Sequence, residues 1–197
     1  MEVWSLWDAV EYASTIPLEP GTSWSHSNAL DYVAPEDLYY VSSRNIDTLF
    51  AFDRETGETV HRIGRHHGDY DLDPASGEWF DRQHQFHVAG DELLVFANGQ
   101  DVQEGSRVLG YRLDAAAGTL ENTWRYAAEQ PLYCYTYGDA NVLPDGNVLV
   151  TWSTSGQMEE VDLDGEIQWQ IKASFGAGFG YTTYVESLYP DAESSLP

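Results

Sequence analysis

The chain has 197 residues, 42% of them hydrophobic, 21% charged and 14% aromatic, which is enough apolar material for a folded core and excludes a disordered or collagen-like chain. Thirty-three acidic residues stand against nine basic ones, eight of them Arg, for a formal net charge of -24; nucleic acid and anionic membrane surfaces are therefore poor partners. No apolar run approaches the roughly 20 residues of a membrane-spanning helix, and the lone Cys134 excludes an intramolecular disulfide and any Cys-based zinc cluster.

Taken in chain order, Met1-Glu2-Val3-Trp4-Ser5-Leu6-Trp7-Asp8 shows no positively charged region leading into an apolar stretch, so no secretory signal is read there. Val3 to Trp7 reads as a strand. Beyond it, short segments rich in Val, Tyr, Phe, Leu and Trp alternate with Gly, Asp and Asn, without a sustained helical period, which predicts an all-β chain. Three stretches then repeat one grammar at offsets of about 55 to 58 residues. The first runs from His26 through Leu38-Tyr39-Tyr40-Val41-Ser42 and Thr48-Leu49-Phe50-Ala51-Phe52-Asp53 to a turn at Gly57 and a last strand at Thr59-Val60-His61. The second starts at His84 and turns at Gly118, and the third starts near Asp139 and turns at Gly165. Thr182 to Leu188 reads as one trailing strand.

A single four-stranded meander cannot bury both of its faces, so such units must pack face to face. A repeat of this length with one turn recurring before each outer strand reads as a partial β-propeller. A β-sandwich explains the short strands but not that recurrence. The expectation is one propeller domain over residues 1–197, with blade-like units at about 24–67, 82–127 and 136–172 and a closing strand at 181–190. Closed rings need about four to eight blades, so three units are expected to be completed by a longer chain or by self-association.

The same segments resemble the bacterial and archaeal arylsulfotransferases. The resemblance rests on Trp4-Ser5-Leu6-Trp7-Asp8-Ala9, Trp24-Ser25-His26-Ser27-Asn28-Ala29, Val41-Ser42-Ser43-Arg44-Asn45, Gln83-His84, Phe96-Ala97-Asn98-Gly99, Ser106-Arg107 and Ser187-Leu188-Tyr189, in that order. It implies a six-bladed ring and transfer of a sulfuryl group from a phenolic sulfate ester to another phenol through a sulfated histidine, without a nucleotide donor or other cofactor. It also implies a periplasmic or secreted setting. The resemblance places the nucleophilic histidine at the start of the blade after Gln83-His84; Tyr137-Gly138 stands there, and no His lies between His87 and Pro197. His84 or His26 is then the nucleophile, or the chain is a non-catalytic propeller that binds a ligand or partner.

Sulfuryl transfer needs donors around three charged oxygens, an in-line nucleophile and a proton source for the phenolate. His26 and His84 open the first strands of successive units, and Arg107 opens the third strand of the His84 unit. These three are expected to meet at one mouth of the central channel as the catalytic group, with Asn28, Arg44, Asn98 and Tyr137 lining the substrate site. No metal is expected. Adjacent His66 and His67 point apart on a strand, and Asp69, Asp71 and Asp73 begin like a calcium loop that fails at Pro74 and Phe80. His61 and His87 read as structural, and most of the seven Trp as packing between blades.

Overall fold

The computed structural model describes residues 4–10, 23–73, 75–174 and 176–185. Its first sheet is β1 (Ser27–Val33), β2 (Leu38–Ser43), β3 (Thr48–Asp53) and β4 (Thr59–Gly64), antiparallel and in sequence order. A two-residue strand, β5 (Asp71–Leu72), follows. The second sheet is β6 (Phe86–Ala89), β7 (Glu92–Ala97), β8 (Arg107–Asp114) and β9 (Thr119–Tyr126), and the third is β10 (Asp139–Val142), β11 (Val148–Trp152), β12 (Gln157–Val161) and β13 (Ile167–Lys172). Innermost β1 lies beside β6 and β6 beside β10, so the sheets fan as consecutive blades of a β-propeller. β5 pairs in parallel with β9 and occupies the outer edge of the second blade, a pairing that a two-residue segment does not announce in sequence.

Each blade repeats the same turn for a physical reason. Asp53 Oδ1 accepts the backbone N–H of Glu55 and Thr56 at 2.9 and 2.7 Å, Asp114 Oδ1 those of Ala116 and Ala117 at 3.0 and 2.9 Å, and Asp162 Oδ1 those of Asp164 and Glu166 at 3.0 and 2.9 Å. The turn then leaves through Gly57, Gly118 or Gly165 at φ of 72°, 67° or 87°, where a side chain would be strained. Part of the chain's acidity therefore serves its turns.

The middle blade is covered on both sides, so its second strand reads as an unbroken apolar run instead of alternating. Leu93, Val95 and Ala97 join Leu49, Ala51, Ile63 and Tyr111 in the core facing the first blade. Leu94 and Phe96 join Val108, Val148, Val150 and Trp152 in the core facing the third. Each such side chain contributes about 1.5–3 kcal/mol on burial. Outermost β13, by contrast, is exposed along its whole length.

The expected strand at Val3 to Trp7 is not formed in the described part. Trp4 is irregular and Leu6–Ala9 makes one helical turn, α1. Aromatic packing replaces strand pairing: Trp4 stacks on Phe52 at 4.9 Å and 9°, and its Nε1 donates to Thr59 Oγ1 at 3.0 Å. At the other end, residues 181–185 have no strand pairing, and 186–190 lie outside the described residues. Thr182 is nevertheless tied to β10, its N–H donating to Asp139 Oδ2 at 3.0 Å and its carbonyl accepting from Asn141 Nδ2 at 3.1 Å.

Candidate functional site at the blade rim

The start of each innermost strand and the connection between the second and third strands fall at the same end of a blade, and the candidate site is built there. In the first blade, residues 44–46 form a 3-10 turn whose Arg44 N–H donates to the His26 carbonyl at 3.2 Å. Asn45 adds two bonds, its N–H to Ser25 O at 2.9 Å and its Nδ2 to Ser23 O at 2.6 Å. His26 and Arg44 are thereby fixed as neighbours. His26 takes φ 50°, Arg82 φ 53° and Tyr137 φ 58°, one left-handed residue in the lead to each innermost strand. This sharp reversal aims the side chains of the three leads at the rim.

The result is a file of rings around the axis. His26 and His84 have centroids 6.4 Å apart, His84 and Tyr137 6.4 Å, and Tyr137 and Tyr181 5.4 Å. His84 is 2% exposed, whereas Tyr137 and Tyr181 are 48% and 42% exposed, so the imidazole lies beneath an open aromatic surface. His84 Nδ1 is 2.6 Å from Asn98 Oδ1 and its Nε2 is 3.4 Å from Thr136 Oγ1. Burial pushes the His84 imidazole down to about 4, with Arg44 and His26 adding to the effect and the Asn98 bond opposing it. His26 is lowered too, by burial first and then by Arg44 and Arg82. With its value at about 4, the His84 ring is neutral at pH 7.

Of the residues expected from sequence, His26, His84, Arg44 and Tyr137 come together. Asn28 is a support: its Nδ2 donates to the Gln83 carbonyl at 2.9 Å, locking the lead of the second blade onto the first. Asn98 is fully buried and both polar atoms of its side chain are engaged inside the protein, so it does not line an open substrate site. Arg107 is committed elsewhere. Its Nη2 bonds Asp81 Oδ1 at 2.8 Å, and its Nε stands 2.9 Å from Glu78 Oε2, an ion pair without the alignment of a hydrogen bond. The cation that acts on both imidazoles is Arg44, joined at His26 by Arg82, which sequence reasoning passed over.

Five of the chain's nine cations are neutralised by carboxylates, and the two arginines near the imidazoles are not among them. Arg54, Arg62, Arg107, Arg112 and Arg125 all have carboxylate partners. Among the described residues Arg44 and Arg82 have none within ion-pair distance, although each lowers the proton affinity of His26. Two guanidiniums without an ion-paired carboxylate, with Asp47 in electrostatic reach of both, beside two imidazoles of lowered proton affinity, make a local site for a small anion. Groups of acidic, Cys and His side chains able to hold a metal ion are absent among the described residues.

The sequence profile of the family described as Arylsulfotransferase (ASST) matches residues 11–174, a span that holds all three blades and both imidazoles. The chain belongs to the arylsulfotransferase family. Among solved structures it is similar to the periplasmic gluconolactonase PpgL of Pseudomonas aeruginosa, at 20% identity and a TM-score of 0.50 over 83% of this chain and 43% of that one. BamB of Moraxella catarrhalis matches at 17% identity and a TM-score of 0.46 over 78% of this chain and 39% of that one. Virginiamycin B lyase of Staphylococcus aureus matches at 11% identity and a TM-score of 0.44 over 76% and 42%. The likeness to PpgL is one of fold. The chain spans less than half the length of these structures. A search of curated proteins finds no match.

Proposed function

We propose that the rim carries the sulfuryl-transfer site of an arylsulfotransferase, with His84 as nucleophile, His26 and Arg44 holding the sulfate oxygens, and an aryl sulfate and a phenol as substrates. The reading rests on one observation: a neutral imidazole next to a guanidinium that has no carboxylate partner, in a chain of net charge -24. An N–S bond forms from the imidazole lone pair as the aryl S–O bond breaks, and the electron pair of that bond leaves on the phenolate, which then takes a proton from solvent. In the second half, a phenol that has surrendered its proton to solvent attacks sulfur, and imidazole departs with the pair it gave. Neutrality matters because an imidazolium has no lone pair to offer. Arg44 meets charge that shifts over three oxygens, and its planar fork suits two of them. Tyr137 and Tyr181 offer ring faces for the aryl group.

The decisive test is intact-mass analysis after incubation with a chromogenic aryl sulfate. The expected product is an SO3 adduct mapped to His84, absent in His84→Ala and discharged by added phenol. An adduct on Tyr137 or on no residue overturns the assignment. A second reading, a propeller that binds its ligand without turnover, has the 2% exposure of His84 in its favour. It predicts no adduct, together with saturable quenching of tyrosine fluorescence by the same aryl sulfate.

A further inference from the structure

Asn98 was expected to touch substrate, yet its side chain meets the His84 ring and the backbone of the next lead instead. It closes β7 and makes three side-chain bonds, all buried or nearly so. Its Nδ2 donates to the carbonyls of Cys134 at 2.7 Å and Tyr137 at 2.8 Å, and its Oδ1 faces His84 Nδ1 at 2.6 Å. Its own carbonyl accepts from Ser106 Oγ at 2.9 Å, and the same Oγ accepts the Cys134 N–H at 2.9 Å. The orientation of the amide follows from these partners. Reversed, it would set its carbonyl oxygen against two other carbonyl oxygens and leave both N–H groups facing the imidazole. With Oδ1 toward the ring, the short contact to Nδ1 is a hydrogen bond only if Nδ1 carries the proton, because an amide oxygen accepts and does not donate.

We propose that Asn98 is a positioning residue that fixes His84 as the Nδ1–H tautomer, so that the lone pair stands on Nε2, and ties that choice to the 134–137 segment bearing Thr136 and Tyr137. This inference rests on the reading of His84 as the sulfuryl acceptor and says which of its two nitrogens accepts. Free histidine in water favours the proton on Nε2, which would leave the lone pair on the nitrogen that Asn98 covers. The asparagine reverses that preference. Nε2 is the nitrogen turned toward Thr136 Oγ1, whose 3.4 Å contact is long enough for the hydroxyl to yield to an incoming sulfur. One amide thus sets the proton on one blade's lead and anchors the lead of the next by its backbone, linking the nucleophile to its aromatic cover. Fixing a ring by the partner of its other nitrogen is the logic by which a neighbouring group selects a histidine's working atom.

The test is nitrogen NMR on the whole chain labelled with 15N-histidine, the His84 signals being those lost in His84→Gln. The expected spectrum at neutral pH has a pyrrole-type Nδ1 and a pyridine-type Nε2 for His84. A pyridine-type Nδ1, or averaging of the two, overturns the inference, and this wild-type result stands without any Asn98 variant. In Asn98→Ala the signals are expected to move toward the averaged or Nε2–H pattern. Asn98→Asp keeps an oxygen facing Nδ1 and is expected to hold the proton there, but it sets its other oxygen against the Cys134 and Tyr137 carbonyls and so loses the tie to the 134–137 segment. The rate of adduct formation is expected to fall about 10- to 100-fold in Asn98→Ala, and an unchanged rate there would count against the positioning role. The two readings fail separately. An Nδ1–H tautomer without any adduct sinks the transferase assignment and leaves the tautomer lock standing, whereas an adduct on an Nε2–H histidine sinks the lock alone.

Discussion

Asp47 Oδ1 accepts the backbone N–H of Arg82 at 2.7 Å across the junction of the first two blades, and both residues are left-handed, at φ 47° and 53°. Asp47 ends the turn that carries Arg44, and Arg82 begins the lead that carries His84. The bond therefore sets the distance between the two halves of the rim. Asp47→Ala leaves the Arg82 N–H without its partner and keeps a strained backbone at position 47. The expected cost is about 1–3 kcal/mol by denaturant unfolding, with a weaker response to aryl sulfate. Asp47→Asn keeps an acceptor and tolerates positive φ, so most of that loss is expected to be absent.

If His26 and Arg44 grip the transferring group, removing either takes away charge stabilisation that is used mainly in the transition state. His26→Ala and Arg44→Ala are each expected to lower adduct formation by about 100-fold. Arg44→Lys restores the charge without the planar fork and is expected to recover only part of it. Arg44→Ala has a second signature, because Arg44 also lowers the proton affinity of His84 and His26. Its loss is expected to move the acid limb of the rate profile toward higher pH. A pH profile that stays where it was would separate Arg44 from the imidazoles.

The units and their turns could be read from the chain because Asp and Gly are required at the same place in every blade and the apolar strands between them are continuous. His26 and His84 could be found because each stands within two residues of the start of an innermost strand. What sequence does not carry is which cation finds a carboxylate. Arg107 and Arg44 both close or open a strand after a serine, but Glu78 and Asp81, 29 and 26 residues upstream, fold back against Arg107 and not against Arg44. Asn98 misled for a related reason: a polar side chain at a strand end looks like a ligand until its buried partners are seen. Trp4 and Trp7 fit a strand pattern equally well, and the aromatic surface of Phe50 and Phe52 decided otherwise.

Arg107 then becomes a test of stability and not of chemistry. It is 9% exposed between Asp81 and Glu78, and truncation leaves Asp81 without its cation while Glu78 keeps Arg125. Arg107→Ala is expected to cost about 3 kcal/mol, read as a lower denaturation midpoint. Adduct formation per folded molecule should match the wild type. A fall in that rate with an unchanged midpoint would return Arg107 to the site.

His84 makes stability depend on pH in a definite direction. Its folded value of about 4 lies below the ordinary 6.5, so between those values the unfolded chain binds the proton that the folded chain refuses. Stability therefore rises with pH across that window and is lost as pH falls through it; below about pH 4 the group adds no further slope. The full effect is on the order of 3 kcal/mol, from a gap of roughly 2.5 units. His84→Gln cannot titrate, and its unfolding free energy is expected to fall less between pH 7 and pH 4.5. The same value keeps the nucleophile unprotonated well below pH 6, so adduct formation should persist there. Equal slopes for the variant and the wild type would remove His84 as the cause.

Glu159 joins the second and third blades without a cation. It is fully buried; Oε1 accepts from Trp152 Nε1 at 2.6 Å and Tyr126 Oη at 3.0 Å, and Oε2 from Gln157 Nε2 and Gln170 Nε2, each at 2.8 Å. Four donors converge on two oxygens, which is the number a carboxylate can satisfy and an amide cannot. Glu159→Gln keeps the shape, but its NH2 group is satisfied only if the Gln157 and Gln170 amides reverse to accept from it, and Glu159→Ala abandons all four donors inside the core. Glu159→Ala is expected to destabilise the chain by about 3 kcal/mol or more and Glu159→Gln by about 1–3 kcal/mol, since each unsatisfied buried group costs about 1–3 kcal/mol. Tyr126→Phe deletes one donor along with its need for a partner and is expected to cost about 1 kcal/mol. Thermal unfolding of the three variants gives the order. Glu159→Gln matching the wild type would mean that the charge is not what holds these donors together.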